Sequence, residues 1–273
     1  FGANFTAASV ESMESMFYGC KAMTSIDLSN FNTTSLKTME RMFSGCSVLD
    51  EIKFGANFTA ASVESMESMF YNCKAMTSID LSNFNTASVT TMESMFQSCE
   101  KLTSITFGAN FTAASVKSME SMFYKCKAMT SIDLSNFDTT SLNTMKRMFE
   151  DCEKLTSITF GANFTAASVE SMENMFKDCE YLPLIDLSKF NTASVTTMES
   201  MFSGCYRLES LDLRNFTFKA ETNYESMFAG TGSVVKSNTN ELIPIYVKDA
   251  EDKTTLESAV ELIYSQIIVK SNG

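Results

Sequence analysis

The chain repeats itself, and this repetition constrains its fold more than any other feature. The segment FGANFTAASV stands at residues 1, 54, 107 and 160, so the repeating unit is 53 residues long. Cysteines divide each unit into coils of 26 and 27 residues, and the extra residue lies in FGANF, where the partner coil has the shorter LSNF. These cysteines are Cys20, Cys46, Cys73, Cys99, Cys126, Cys152, Cys179 and Cys205. Because one coil cannot bury its apolar side alone, the sequence predicts a solenoid of stacked coils.

The repeat ends after eight full coils in a ninth, degenerate one. Met227 and Phe228 are in register with the earlier coils, and Thr231 stands where the next cysteine would fall. We therefore assign residues 1–231 to the solenoid. Because residue 1 lies inside the repeated motif, we expect the chain to be a fragment whose leader and any anchor lie outside it.

Each coil carries two apolar patterns. Ile26 and Leu28 of the first coil alternate with polar residues, as in a strand with one buried face. An apolar series with helical spacing precedes them, and Ser9 stands at its N-cap position. The members of this series are Val10, Met13, Met16, Phe17 and Cys20. The sequence predicts a short strand, a turn and a short helix in every coil.

Stacked coils of this kind form an α/β solenoid. Parallel strands lie about 4.8 Å apart, whereas helix axes need about 8–10 Å, so the strand side would be the shorter one. We predict a leucine-rich-repeat arc with a concave parallel β-sheet, short helices on the convex side and a C-terminal cap.

Residues 232–273 do not follow the repeat. The stretch from Leu242 to Lys248 indicates a strand, and the stretch from Ile267 to Lys270 indicates another. One amphipathic helix between them is indicated by Leu256, Val260, Leu262 and Ile263. We expect these residues to cap the open end of the core, with an independent functional module as the alternative.

Charge and composition exclude several functions. With 33 acidic and 21 basic residues the net charge is −12, so phosphate backbones and anionic lipids would repel the chain. The absence of histidine removes imidazole-based catalysis and imidazole metal ligands. No apolar run approaches the roughly 20 residues of a membrane-spanning helix. We predict no nucleic-acid partner, no membrane insertion, no cofactor and no metal, and because the coils are near-identical, no enzyme.

The eight cysteines allow more than one interpretation. They recur once per coil on the apolar face, which favours free, buried, unreactive thiols. Neighbouring positions would lie near the Cα separation of about 4.4–6.8 Å that disulfides require, so bridges between coils are the alternative. A zinc site is disfavoured, because metal ligands converge on one point and these side chains follow an axis.

The coil pattern resembles a known family. Its series Met-Phe-x-x-Cys-x-x-(Met/Leu)-x-x-Ile, which begins at Met16 and Phe17, is similar to that of the BspA-like leucine-rich-repeat proteins of bacterial cell surfaces. The chain departs from that family in having methionine at Met23, Met76 and Met129, where leucine is common. The resemblance implies secretion, surface display and binding of host or matrix ligands rather than a reaction.

Outward strand residues form the first candidate binding surface. We call the position after each strand isoleucine, or its equivalent, the strand row: Asp27, Lys53, Asp80, Thr106, Asp133, Thr159, Asp186 and Asp212. The row is either a polar binding strip on the concave face or a set of solvated carboxylates that keep the sheet soluble. Most of its aspartates would lie about 10 Å apart, too far to share one calcium ion.

Coils seven and eight depart most from the consensus. Asp186 and Asp212 stand on adjacent coils there, with Arg214 two residues further on. The candidate ligand-binding residues are Asp27, Asp80, Asp133, Asp186, Asp212, Arg214, Tyr181 and Tyr206. The alternative is that coils beside a cap adapt to a different neighbour.

Tyr18, Tyr71 and Tyr124 form a second row on alternate coils. Regularly spaced exposed aromatic rings stack on sugars or anchor protein partners. The alternative is that each ring packs over the neighbouring helix.

Together these features predict a monomeric, non-catalytic, extracellular module for adhesion at a bacterial cell surface. Its partner would be a host or matrix protein or a glycan. The alternative is a structural spacer or stalk that displays other domains.

Overall fold

The predicted solenoid is confirmed. The computed structural model describes residues 7–233, 242–259 and 267–271. Its coils stack so that equivalent backbone positions pair in parallel from each coil to the next. One such series of bridges links nine coils, through Ser12, Thr38, Ser65, Thr91, Ser118, Thr144, Ser171, Thr197 and Asn223.

Short strands form at the predicted positions in most coils. They are β1 (Ser25–Leu28), β2 (Glu51–Phe54), β3 (Ser78–Leu81), β4 (Ser104–Phe107), β5 (Ser131–Leu134), β6 (Ser157–Phe160) and β7 (Leu211–Asp212). The seventh coil has no strand at residues 184–187. Within each strand the apolar side chains face the core and the polar ones face outward, as the alternation predicts.

The strands do not form one continuous sheet, which differs from the prediction. β1 pairs with β2, β3 with β4 and β5 with β6, each in parallel. The ladder breaks after β2, β4 and β6, where the longer FGANF turn follows the strand.

The predicted convex helices are wrong. Between residues 7 and 232 no residue is helical, and the apolar series from Val10 to Cys20 forms consecutive turns. The amide of Met16 donates to the carbonyl of Met13, three residues back, at 3.2 Å. Amides at alternate positions instead donate to the next coil, Ser15 to Glu40 at 2.9 Å and Phe17 to Met42 at 2.9 Å.

Backbone conformation explains why this segment does not become a helix. Ser15 has φ 55° and Gly19 has φ 67°, both in the left-handed region that a right-handed helix excludes. Beyond its first turn a helix would use its amides internally, whereas the turns leave alternate amides free to join neighbouring coils. The expected bend of the stack, which depended on wide convex helices, therefore loses its physical basis.

Nine aromatic rings stack in one column within the core, and a second set of phenylalanines, such as Phe58 and Phe84, packs beside it. Successive ring centroids lie 5.3–5.9 Å apart and each pair is stacked. The column contains Phe17, Phe43, Phe70, Phe96, Phe123, Phe149, Phe176, Phe202 and Phe228. Offset stacking of this kind adds to the stabilisation from burial alone.

The cysteines form a second column. All eight are free, and each except the half-buried Cys20 is buried. From the second coil onward, each thiol donates to the carbonyl of the phenylalanine in the preceding coil, as Cys46 does to Phe17 at 3.0 Å. Thr231 continues the column in the ninth coil, because its hydroxyl donates to the carbonyl of Phe202 at 2.8 Å.

The sheet continues beyond the coils. Strand β8 (Ile243–Val247) pairs in parallel with β7, and β9 (Ile267–Ser271) pairs in parallel with β8. Helix α1 (Ala250–Ala259) buries Leu256, and Asp249 caps its first turn. Both strand predictions for this segment are confirmed. Val260, Leu262 and Ile263 lie outside the described residues.

Candidate functional site

The strand row lies on the outer surface. All eight of its side chains are exposed, while the leucine or phenylalanine that follows in each coil is turned inward. The carboxylate of each aspartate accepts a hydrogen bond from the backbone amide two residues further on, at 2.8 Å for Asp27, 2.9 Å for Asp80 and 2.9 Å for Asp133. Such turns fix the direction of the carboxylate. Each aspartate therefore both supports its own turn and presents charge to solvent.

Local hydrogen bonds lower the pKa of three of these carboxylates. Bonds from the hydroxyl and amide of Ser29 lower the pKa of Asp27, and equivalent bonds from Ser188 lower the pKa of Asp186. The pKa of Asp212 is lowered mainly by its hydrogen bond with Arg214. Donors aimed at an ionised acid favour the charged form.

Only part of the row carries uncompensated charge. Lys53 Nζ lies 3.5 Å from Asp27 Oδ2, across the paired strands β1 and β2. Arg214 Nε donates to Asp212 Oδ1 at 2.8 Å. Asp80 and Asp133 face Thr106 and Thr159 in their strand pairs instead. Among the described residues, the aspartates of the row without a salt bridge are therefore Asp80, Asp133 and Asp186, on alternate coils.

A shallow concavity of about 370 Å³ lies where Asp186 and Asp212 meet. Its lining is Ser157, Ile158, Leu184, Ile185, Asp186, Ser210 and Asp212. Arg214 neutralises one of its two carboxylates. The concavity combines exposed apolar surface at Leu184 with polar groups.

Tyr181 and Tyr206 do not line that concavity. The guanidinium of Arg207 lies 4.1 Å from the centre of the Tyr181 ring, a cation–π contact. Tyr206 lies beside Gly230, where a Cβ would come within 3.2 Å of its ring. The structure brings Asp186, Asp212 and Arg214 together but gives the two tyrosines separate, partly covered surroundings.

Sequence reasoning did not identify every distinctive residue. Arg41 and Ser44 lie with Tyr18 and Tyr71 around a second concavity, of about 330 Å³. The sequence signal for this concavity is the small side chain of Ser44, which stands on the coil between those of Tyr18 and Tyr71. The equivalent position between Tyr71 and Tyr124 is the larger Gln97.

Neither a metal centre nor a spanning helix is present in the described part of the chain. Among residues 7–233, 242–259 and 267–271, no group of three or more Cys, Asp or Glu side chains could hold a metal ion. In the same ranges, no helix has the length and apolar character needed to cross a membrane.

The stacked parallel coils, apolar interior and exposed polar strand row define a repeat solenoid of the leucine-rich-repeat kind. The chain belongs to the family described as Mycoplasma protein of unknown function, DUF285, whose model matches residues 3–78, 64–182 and 161–242. No curated protein matches it.

Three solved structures are similar in part. A leucine-rich-repeat protein of T. pallidum shares 20% identity over 64% of this chain and 72% of its own, with a TM-score of 0.43. The pneumococcal vaccine antigen PcpA shares 11% over 91% and 68%, with a TM-score of 0.33. The functional domain of InlJ from Listeria monocytogenes, which includes a cysteine ladder, shares 13% over 83% and 48%, with a TM-score of 0.30. Similarity at this level does not carry function between proteins.

Proposed function

We propose that this protein is a non-catalytic binding module displayed outside a bacterial cell, in the manner of the BspA-like proteins. It attaches to a host or matrix protein or a glycan through the strand row. The observation that supports this function is the row itself: exposed polar side chains, held in direction by their own turns, at a regular spacing. Fixed groups lose little conformational freedom on binding, and equivalent groups at regular spacing sum weak contacts into avidity.

The charge of the row favours a basic partner. Asp80, Asp133 and Asp186 lack a salt bridge in the described residues, whereas Asp27 and Asp212 each have one. Complementary charge speeds encounter and fixes register more than it adds affinity. In this proposal the protein acts as a monomer, and strands β8 and β9 cap the solenoid by extending the sheet from β7, the strand of its eighth coil.

The test compares two variants with equal charge. The first carries Asp27, Asp80, Asp133, Asp186 and Asp212→Asn, because asparagine keeps the acceptor that each turn needs and removes only the charge. The control carries five exposed glutamates outside the row, Glu11, Glu64, Glu170, Glu221 and Glu225→Gln. Both are applied with the unmodified protein to immobilised matrix proteins, mucins and glycans.

Binding by the unmodified protein and the glutamine control, with loss in the asparagine variant, is the expected result. Equal binding by all three would remove the strand row from the function. Absence of binding by all three, while each stays folded, would reject the adhesion role.

One observation favours a second function, that of a structural spacer. The phenylalanine column stacks without interruption from Phe17 to Phe228, which gives a continuous apolar core along the axis. If length alone matters, the asparagine variant placed in the bacterial surface protein should leave attachment unchanged, whereas deletion of residues 54–106 should alter it.

A further inference from the structure

The concavity between Tyr18 and Tyr71 is separate from the strand row. It has a volume of about 330 Å³ and is lined by Ser15, Tyr18, Arg41, Ser44, Ser68 and Tyr71. Tyr18 is 63% exposed, and Tyr71 is partly exposed. At about 4.8 Å per coil, two rings on alternate coils are separated by about 10 Å. We call this concavity the tyrosine slot.

The size of one side chain opens the slot. In this column of the solenoid the residues on successive coils are Tyr18, Ser44, Tyr71, Gln97, Tyr124 and Glu150. Ser44, between the first two tyrosines, is small and only 3% exposed. The next gap contains the longer side chain of Gln97. Beyond it, Arg147 lies over Tyr124, 4.4 Å from the ring centre, and donates to Glu150 at 2.6 Å.

The lining has two kinds of chemistry. Two tyrosine rings offer apolar faces, and three serine hydroxyls and a guanidinium offer hydrogen bonds. The Arg41 guanidinium lies 3.6 Å from the carboxylate of Glu40 and 3.6 Å from that of Glu67, so its charge is compensated. A purely apolar side chain in the slot would leave the hydroxyls without partners, at a cost in free energy. An anionic ligand would be repelled by the carboxylates of Glu40 and Glu67 beside the arginine.

The geometry points to a neutral pyranose as the ligand of the tyrosine slot. A pyranose ring stacks its C–H face on an aromatic ring and exchanges hydrogen bonds through its hydroxyls, which pairs both kinds of group in the lining. The site lies outside the strand row, so it adds a glycan-binding function that does not depend on the aspartates.

The chain offers a reciprocal pair of variants. Ser44→Gln should fill the slot, and Gln97→Ser should open a similar gap between Tyr71 and Tyr124, in which Ser94 stands where the slot has Arg41. Binding of lactose and methyl β-galactoside is measured by saturation-transfer NMR and by titration calorimetry. The unmodified protein should bind with millimolar affinity at one site, Ser44→Gln should bind at least roughly tenfold more weakly, and Gln97→Ser should gain a second site.

No saturation transfer to either sugar would overturn this assignment, and so would equal affinity in Ser44→Gln or tighter binding of sialyllactose than of lactose. Binding of p-cresol without binding of sugars would show a site for aromatic rings and would also overturn it. Thermal unfolding verifies that each variant is folded. If Ser44→Gln does not fold, Tyr18→Ala replaces it, because Tyr18 is largely exposed and its removal takes away one face of the slot.

Discussion

Buried threonines tie neighbouring coils together at the scale of single residues. Thr86 Oγ1 donates to the carbonyl of Thr112 at 2.6 Å and accepts from the amide of Thr112 at 2.7 Å. Thr33 and Thr139 bridge the following coil in the same way. Each bridge fixes an FGANF turn to the coil before it. In the sequence these threonines alternate with Ala60, Ala113 and Ala166 at the equivalent position of the other coils. The alternation predicts a bridge only once it is known that this position is buried.

Thr86→Val should therefore destabilise the protein although its volume barely changes. The substitution leaves the amide and carbonyl of Thr112 without their partner, which costs about 1–3 kcal/mol for each buried group. Urea unfolding measures the loss. Thr90→Val is the control, because Thr90 is exposed and its hydroxyl bond to Glu64 is replaceable by water. Equal midpoints for both variants would contradict the role of the threonine bridge.

The thiol column should make the protein sensitive to alkali. Burial raises the pKa of Cys46 to about 11 and also raises the pKa of each later cysteine. Unfolded thiols ionise near pH 8.5, whereas the folded ones stay protonated, so the unfolded chain loses protons first. The free energy of unfolding is unaffected below that pH and falls above it, by roughly 1 kcal/mol per buried thiol for each pH unit.

Urea midpoints between pH 7.5 and pH 10 test this dependence. A variant with Cys99, Cys126 and Cys152→Thr repeats the arrangement found at Thr231, since it keeps a hydroxyl donor but cannot ionise in this range. It should show a shallower decline than the unmodified protein. Parallel curves would assign the alkaline loss to other groups, such as lysines and tyrosines.

At the scale of elements, the turns after β2, β4 and β6 depend on glycine because two backbones approach closely there. A Cβ on Gly55 would lie 2.0 Å from the carbonyl oxygen of Ser29, and one on Gly108 would lie 2.1 Å from that of Ser82. Backbone cannot move aside as a flexible side chain can. These glycines let the longer turn lie against the shorter one.

Gly108→Ala should cost about 1–3 kcal/mol or more, because one methyl group overpacks the contact with Ser82. Ala109→Ser also adds one atom, at the neighbouring exposed position, and should change stability by no more than about 0.5 kcal/mol. Thermal unfolding of both variants compares the two. If Ala109→Ser lowered the stability as much as Gly108→Ala does, the contact with Ser82 would not be the reason why the turn is sensitive to substitution.

Glutamates at equivalent positions on successive coils form a further element, a column of like charge. Burial, with Glu120 on one side and Glu67 on the other, raises the pKa of Glu93, while a weak bond from Ser118 opposes the shift. A carboxyl with a raised folded pKa destabilises the fold above that pKa. The penalty disappears as the pH falls below the unfolded value.

Glu93→Gln should accordingly stabilise the protein at pH 7, by about 0.5 kcal/mol, and give little gain at pH 4. Glu173→Gln is the control, since its carboxylate pairs with Lys146 Nζ at 2.9 Å and its removal should bring no gain. Urea unfolding at pH 4 and at pH 7 measures the change in the free energy of unfolding for each variant. Equal gain at pH 4 and pH 7 would exclude charge repulsion as the cause.

Strands were predictable from the sequence because alternation at Ile26 and Leu28 has one structural meaning. The turn segment was not, because a spacing of three at Val10, Met13 and Met16 suits either a helix or consecutive turns. Glycine at position 19 indicates a left-handed backbone conformation, but nothing in the sequence indicates that Ser15 adopts the same conformation. The outward direction of the strand row followed from the pleat. The tyrosine slot did not, since it depends on one small side chain between two coils.

At the scale of the whole molecule, stability should be local to neighbouring coils. Most core contacts join adjacent coils, and solenoids built this way behave as chains of coupled units. Phe123, in the middle of the ring column, stacks on Phe96 at 5.7 Å and on Phe149 at 5.5 Å.

Phe123→Ala should cost about 3–5 kcal/mol and divide the unfolding transition into two. Hydrogen exchange should rise in the coils around residues 96–149 and change little near either end. Lys117→Ala, at an exposed position, should leave a single transition. A single, uniformly shifted transition in Phe123→Ala would show that the coils unfold as one unit.

The direction of the bonds between coils has a mechanical consequence. Amides such as those of Ser15, Phe17 and Gly19 join one coil to the next, so these bonds run along the axis of the stack rather than around it. A force applied to the two chain ends is carried in series by every junction between coils and acts along these bonds, so the junctions should open one at a time, the weakest first. A chain built in this way would lengthen in steps under tension, each step releasing the residues of one coil.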